Sequence, residues 1–190
     1  RISSIVVTDA AGHPAGIITE RNFLQAMQSG SPPGTLLPDI MSTPVITVPV
    51  SITTLDAYRL CLSNGIRHLV ITDEQGELAG IVTETDFRQH LSLSALAGRR
   101  KVASIAKRSA ITLPASTGLQ YALQLMLDQH KSCIVVVEDD KPVGIITERD
   151  VVRFYSNERN QGDIALGEVM VAPVLTIQRT DTTSRAAETM

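Results

Sequence analysis

Apolar residues along this chain follow two rhythms that alternate. In TGLQYALQLMLDQH (117–130), Leu119, Ala122, Leu123, Met126 and Leu127 recur at helical spacing and leave polar residues on the other face. TTLDAYRLCLSNG (53–65) repeats the stripe with Leu55, Tyr58, Cys61 and Leu62, and Gly65 supplies a C-terminal stop. After each of these helices comes a β-rich run, an acidic turn and a second β-rich run. LVITDEQGELAG (69–80) and IVVVEDDKPVG (134–144) have this form, and so does IVVTDAAGHPAG (5–16). Paired β-rich runs joined by turn residues predict hairpins. Beyond each hairpin the spacing turns helical again, with Phe87, His90 and Leu91 in one place and Val151, Phe154 and Tyr155 in another. Short β-prone runs PVITV (44–48), AITL (110–113) and PVLTI (173–177) open the pattern.

The second strand of each hairpin closes on nearly the same seven letters: GIITERN (16–22), GIVTETD (80–86) and GIITERD (144–150), spaced by 64 residues in both intervals. A fixed period identifies a structural repeat. The unit is strand, helix, strand, strand, helix. Two units are complete, at 37–92 and 102–157. Residues 1–28 supply the C-terminal half of a first unit, and 166–190 the N-terminal half of a fourth. The connectors SGSPPGT (29–35), AGRRK (97–101) and NERNQGD (157–163) are polar or rich in Gly and Pro. These ends suggest a piece of a longer protein. The two half-units together hold the parts of one permuted unit, completed within a chain or between two. Pairing would cover Val169, Val174, Leu175 and Ile177 at one end and Ile5, Val7, Ile17 and Phe23 at the other.

Composition narrows the function. The 190 residues are 43% hydrophobic but only 3% aromatic, without Trp, so the core is aliphatic. A net charge of −3 gives no basic field for nucleic acid, and the lack of aromatics argues against base-stacking platforms. No apolar run is long enough for a membrane helix, and no secretory leader opens the sequence. Cys61 and Cys133 have apolar neighbours and no CxxC or metal spacing, which predicts buried thiols in a reducing, cytoplasmic setting. No GxSxG, HExxH, GxxxxGK[ST] or GxGxxG occurs, so no enzyme activity and no metal are expected.

The unit resembles the CBS motif, named after cystathionine β-synthase, whose tandem pairs form Bateman modules. The resemblance is carried by IMSTPVITV (40–48) and VMVAPVLTI (169–177), GIRHLVITD (65–73) and the repeated GI[IV]TExD, in order, over essentially the whole chain. It implies an α/β (α+β) fold of β-α-β-β-α repeats, with small mixed sheets packed by helices around a pseudo-two-fold axis. It also implies a regulatory ligand-sensing module that passes occupancy to an effector domain outside this sequence. AMP, ADP, ATP and S-adenosylmethionine are the candidate ligands, with no cofactor required, and such modules commonly form homodimers. The alternatives are a structural or oligomerisation module without ligand, or the regulatory part of an enzyme or transporter.

The Thr–Asp pairs have two compatible readings. Locally, Thr83 with Asp86 and Thr147 with Asp150 cap the helices that follow. The same geometry offers a hydroxyl and free N–H groups to a phosphate, and a carboxylate to ribose hydroxyls. In the CBS family, matching positions often hold the ribose and phosphate of adenosyl ligands, the base lying against the first strand and the segment before the hairpin. Carried over, the second unit contributes Thr83, Asp86, Pro44, Val45, Ile46, Ile66, Arg67 and His68. The third contributes Thr147, Asp150, Ala110, Ile111, Lys131, Ser132 and Cys133. The first offers Thr19 and Asn22, where Asn replaces the acid and the charge is lost. Arg67 and Lys131 supply positive charge for phosphates. Arg21 and Arg149 are expected in solvent, and Glu20, Glu84 and Glu148 at the positive end of a helix dipole. His13, His90 and His130 read as surface or interface residues.

Overall fold

Three antiparallel hairpins form where the sequence places acidic turns, and a computed structural model of the protein shows how. It describes residues 3–32, 34–90, 101–104, 106, 110–157 and 164–189. In the first hairpin, β1 (Ser4–Thr8) pairs with β2 (Pro14–Thr19), Ser4 facing Thr19. The Asp9 carboxylate closes its turn by accepting the N–H groups of Ala11 and His13, both at 2.9 Å. Asp73 does the same for Gln75 and Glu77 at 3.0 and 2.9 Å, between β4 (His68–Thr72) and β5 (Leu78–Thr83). Short Asp side chains make such turns by imitating backbone acceptors. The third hairpin, β7 (Cys133–Glu138) with β8 (Lys141–Thr147), turns on Asp139 and Asp140 at φ 47° and 59°. That backbone suits a two-residue loop whose twist matches the strands.

The chain divides into two compact units, Arg1–Thr19 with Gly34–Arg99, and Glu20–Pro33 with Arg100–Met190. The stretch 1–28 is thus split between Thr19 and Glu20. In the first unit, β3 (Thr47–Pro49) lies parallel to β4, and the sheet order is β3-β4-β5. α2 (Leu37–Ile40) precedes it. α3 (Thr54–Asn64) starts at Thr53, whose hydroxyl accepts the Asp56 N–H, and stops at Gly65, left-handed at φ 64°. α4 (Glu84–His90) follows β5. Val48, Ala57, Cys61, Leu69 and Phe87 form the core, with the Tyr58 ring 5.5 Å from that of Phe87. Leu55 and Leu62 of the expected stripe are instead exposed; Ala57 takes the inward place because α3 is rotated toward it.

The second unit repeats the plan with β6 (Thr112–Pro114), α5 (Leu119–Asp128), β7, β8 and α6 (Glu148–Asn157), in sheet order β6-β7-β8. α1 (Glu20–Gln28) packs on α5 and α6 here, and Leu24 is fully buried. α7 (Leu166–Val169) packs on β8 and α6, bringing Leu166 into the same cluster as Ile134, Ile146 and Val151. α8 (Thr183–Thr189) follows, and Lys101 forms a bridge with Thr182. Each fully buried aliphatic side chain in this cluster contributes about 1.5–3 kcal/mol.

Two β-prone runs fold differently from the expectation. The strand in PVITV begins only at Thr47, because residues before it bind β2: Ile17 and Ser42 exchange backbone hydrogen bonds at 3.1 and 2.8 Å. PVLTI forms no strand among the described residues. Val171 bridges to Ile145, but no ladder partner lies beside 174–178, and Leu175 is 73% exposed. A strand persists only where a neighbour satisfies its backbone.

Candidate functional site

Each repeated Thr sits on the last residue of a strand, one step before a helix. The Thr83 N–H and hydroxyl both donate to Asp86 Oδ2, at 2.8 and 2.7 Å. Thr147 and Asp150 reproduce this at 2.9 and 2.6 Å, and the Asp150 N–H returns a 3.4 Å bond to the Thr147 hydroxyl. These are helix caps in which the carboxylate reaches back. The Thr83 hydroxyl, followed by its N–H, holds the Asp86 carboxyl below the ordinary value of 3.8. In both clamps the recorded bonds use Oδ2 of the aspartate.

In the first unit one candidate, His68, lies directly against this clamp. His68 is the cross-strand partner of Thr83, and its Nε2 lies 3.0 Å from the Ser3 hydroxyl beside the first hairpin. That contact joins the ends of the two hairpins, where Thr19 closes β2 opposite Ser4. Pro44, Val45 and Ile46 span the short distance from the Ile17–Ser42 bridge to β3. The Thr43 hydroxyl fixes the start of that span by donating to Ala15 O at 3.2 Å. Ile46 packs on the core, and Pro44 is exposed.

Ile66 and Arg67 lie elsewhere in the same unit. They line a pocket of about 220 Å³ with Tyr58, Cys61, Leu62, Gly65, Glu84 and Phe87, on the helical face. That lining contains neither Thr83 nor Asp86, so the pocket and the Thr–Asp clamp are separate features. The Arg67 carbonyl accepts the Glu84 N–H at 3.0 Å.

In the second unit, Cys133 faces Thr147 across the ladder, and Ser132 O accepts the Glu148 N–H at 3.1 Å. Ala110 is exposed, whereas Ile111 is buried in the core and accepts the Val135 N–H at 3.0 Å. The Lys131 carbonyl receives Arg21 Nη2 at 3.0 Å. Asn22 is buried in α1.

Three sequence expectations need correction. Cys133 is exposed, because the first residue of β7 turns outward; Cys61 is buried. Arg21 is not solvated: its Nη2 lies 2.6 Å from Glu148 Oε1, and the Glu148 side chain is 2% exposed. Arg149 likewise binds Glu20 at 2.8 Å. Glu20 and Glu148 therefore do more than complement a dipole; each is half of an ion pair between α1 and α6. The signal for this was the dipeptide Glu-Arg at 20–21 and 148–149, replaced by Glu-Thr at 84–85. Among the described residues no group of three His, Cys, Asp or Glu could hold a metal ion, and no helix is long and apolar enough to cross a membrane.

A family profile described as CBS domain matches residues 38–93 and 102–157. L-aspartate semialdehyde sulfurtransferase of Methanocaldococcus jannaschii is 29% identical over 147 residues, 75% of this chain and 28% of that protein. An uncharacterised Methanopyrus kandleri protein, MK0525, is 41% identical over 90 residues, 46% of each chain. The chain thus spans between about a quarter and a half of the length of these relatives. The crystal structure of protein MJ1225 from Methanocaldococcus jannaschii shares the fold. Its TM-score is 0.84 over 99% of this chain and 77% of that one, at 20% identity.

Proposed function

Starting from the fact that the chain belongs to the CBS domain family, we propose that it is the ligand-sensing part of a larger regulatory protein and has no catalysis of its own. Its ligand is an adenosine-type nucleotide: AMP, ADP, ATP or S-adenosylmethionine. The observation that carries this reading is the duplicated clamp. Thr83–Asp86 and Thr147–Asp150 each present a carboxylate at a strand end with both recorded bonds on one oxygen. The other oxygen suits a ribose hydroxyl, and in the second unit Lys131 supplies charge for phosphate. Pro44 and Val45 offer the base an apolar wall in the first unit, and Ala110 in the second, while Ile46 and Ile111 back these positions from the core. Ligand binding then shifts the population of conformations to the extent that its affinity differs between them, and an effector domain outside this sequence reads the shift. The enzyme name of the sulfurtransferase belongs to a protein of which this chain spans 28%.

A second reading has its own support: the Thr hydroxyls are already bonded to the aspartates, as plain helix caps require. On that reading the module is a scaffold or dimer interface. Thermal shift with the four ligands separates the two. At 100 times Kd a ligand adds about 2.7 kcal/mol of stability, and the gain is lost in Asp86→Ala with Asp150→Ala. If no ligand moves the melting temperature, the sensing function is wrong and the scaffold stands.

A further inference from the structure

The two hairpins of the first unit touch at both ends, and the two contacts differ in kind. At the turn end the contact is made by backbone: the Leu78 N–H donates to Gly12 O at 3.0 Å. Around that bond the turns clasp each other. The His13 ring lies 3.4 Å from where a Cβ on Gly76 would sit, and the Glu77 side chain 3.7 Å from where one on Gly12 would sit. Gly12 and Gly76 are left-handed, at φ 89° and 83°, a backbone that strains other residues. The clasp carries one backbone bond and not two, because Pro14 stands where Leu78 stands in the repeat and has no N–H to give. At the other end, where β1 and β4 begin, the contact is one side-chain hydrogen bond between Ser3 Oγ and His68 Nε2, at 3.0 Å.

His68 faces Thr83 across the ladder, so its imidazole shares one face of the sheet with the Thr83–Asp86 clamp. Each ring nitrogen of a neutral imidazole serves as either donor or acceptor, and a single partner fills that role. A phosphate oxygen that takes Nε2 therefore displaces Ser3. We infer that the Ser3–His68 bond is an autoinhibitory latch on the first clamp: while it is closed, Nε2 is occupied by the first hairpin, and a nucleotide phosphate gains it only when Ser3 lets go. This rests on the sensing function proposed above and adds its regulation. The turn contact acts as the pivot, because a backbone bond between clasped turns survives the loss of one side-chain bond at the far end. Release lets the two hairpins swing about their joined turns, a movement that an effector domain can read. In the second unit Cys133 takes the place of His68, opposite Thr147, and the hairpin turns on Asp139 and Asp140 without a glycine. The Thr147–Asp150 clamp has neither part of the device among the described residues and serves as the internal control.

The test titrates AMP into the full chain and follows the Thr83 and Thr147 amides by NMR, one reporter for each clamp. Removing a competing hydrogen bond raises the fraction of molecules ready to bind, so Ser3→Ala should tighten AMP at Thr83 about threefold or more. Affinity at Thr147 should not change, and the Leu78 amide should keep its protection from hydrogen exchange. Gly76→Ala is the control for general loosening: it should expose the Leu78 amide without tightening AMP. Unchanged or weaker binding at Thr83 in Ser3→Ala overturns the latch, as does equal tightening in Gly76→Ala. Loss of Leu78 protection in Ser3→Ala overturns the pivot. AMP binding at Thr147 without tightening at Thr83 refutes the latch alone and leaves the sensing function standing. No AMP response at either clamp, in the parent protein or in Ser3→Ala, removes the sensing function and the latch together.

Discussion

Arg21 and Glu148 are 127 residues apart in sequence and joined by a 2.8 Å hydrogen bond from Nε, with the glutamate almost wholly buried. Their counterparts, Arg149 and Glu20, exchange the same bond at 2.8 Å in a more open setting, 39% and 21% exposed. The sequence is the same dipeptide in both helices, yet the two pairs differ in burial and so in energetic consequence.

Arg21→Ala strands a buried carboxylate. The expected loss is about 3 kcal/mol, toward the low end for such pairs because Arg21 itself is 23% exposed. Arg149→Ala removes a pair in contact with water and should cost about 1 kcal/mol or less. Urea unfolding followed by amide protection of β7 and β8 measures both. Equal costs for the two variants would show that the burial difference has no energetic meaning. Adding Glu148→Gln to Arg21→Ala should recover much of the loss.

The glycines that open the repeated heptads have different neighbours. A Cβ on Gly16 would overlap Met41 Sδ, and one on Gly144 would overlap Met170 Sδ, whereas one on Gly80 would meet nothing within 4 Å among the described residues. Gly144→Ala and Gly16→Ala are each expected to destabilise by about 1–3 kcal/mol. Gly80→Ala should stay within about 0.5 kcal/mol. Met170→Ala combined with Gly144→Ala should cost less than the separate losses added together, which denaturant midpoints will report.

Asp86 has a carboxyl held below 3.8 by Thr83. A depressed pKa means that its ionised form stabilises the fold above the ordinary carboxylate range. That contribution disappears as pH falls below 3.8 and through the depressed value. Asp86→Asn should therefore be less stable than the parent protein at pH 7, by about 1 kcal/mol as for a lost cap, and indistinguishable in strong acid. A stability gap that persists unchanged down to pH 2 contradicts the assignment.

Burial pushes the Cys61 thiol pKa up, and its side chain is 5% exposed, while Cys133 is exposed. Thiolate is the reactive form. Iodoacetamide at pH 8 should modify Cys133 at least about tenfold faster than Cys61. Peptide mapping of the alkylated protein gives the ratio, and comparable rates would place Cys61 at the surface.

Much of the fold was legible because the features that encode it are local. Gly65 ends α3 as read, since a left-handed stop involves a few adjacent residues, and the Thr53 cap at the other end is equally local. The acidic turns were legible for the same reason. The run 173–177 carries strand propensity equal to that of 44–48, yet no strand forms, because pairing depends on a neighbour that propensity does not reveal. Leu55 and Leu62 looked like core by spacing, but Ala57 marks the buried side of α3. In the candidate site, the Thr–Asp bond was predictable from its three-residue separation. The pocket over α3 was not, because it depends on how α3, α4 and the residues before β4 come together.

The order of helices and hairpins, the aspartate-closed turns and the Thr–Asp clamps were written in the sequence itself, through periodicity and hydrogen bonds spanning a few residues. Tertiary structure alone decided that α1 covers α5 and α6, that Glu148 is buried against Arg21 while Glu84 is exposed, and that Met170 fills the hollow over Gly144. Those outcomes rest on desolvation and steric fit between segments far apart in the chain, which no local pattern of residues specifies.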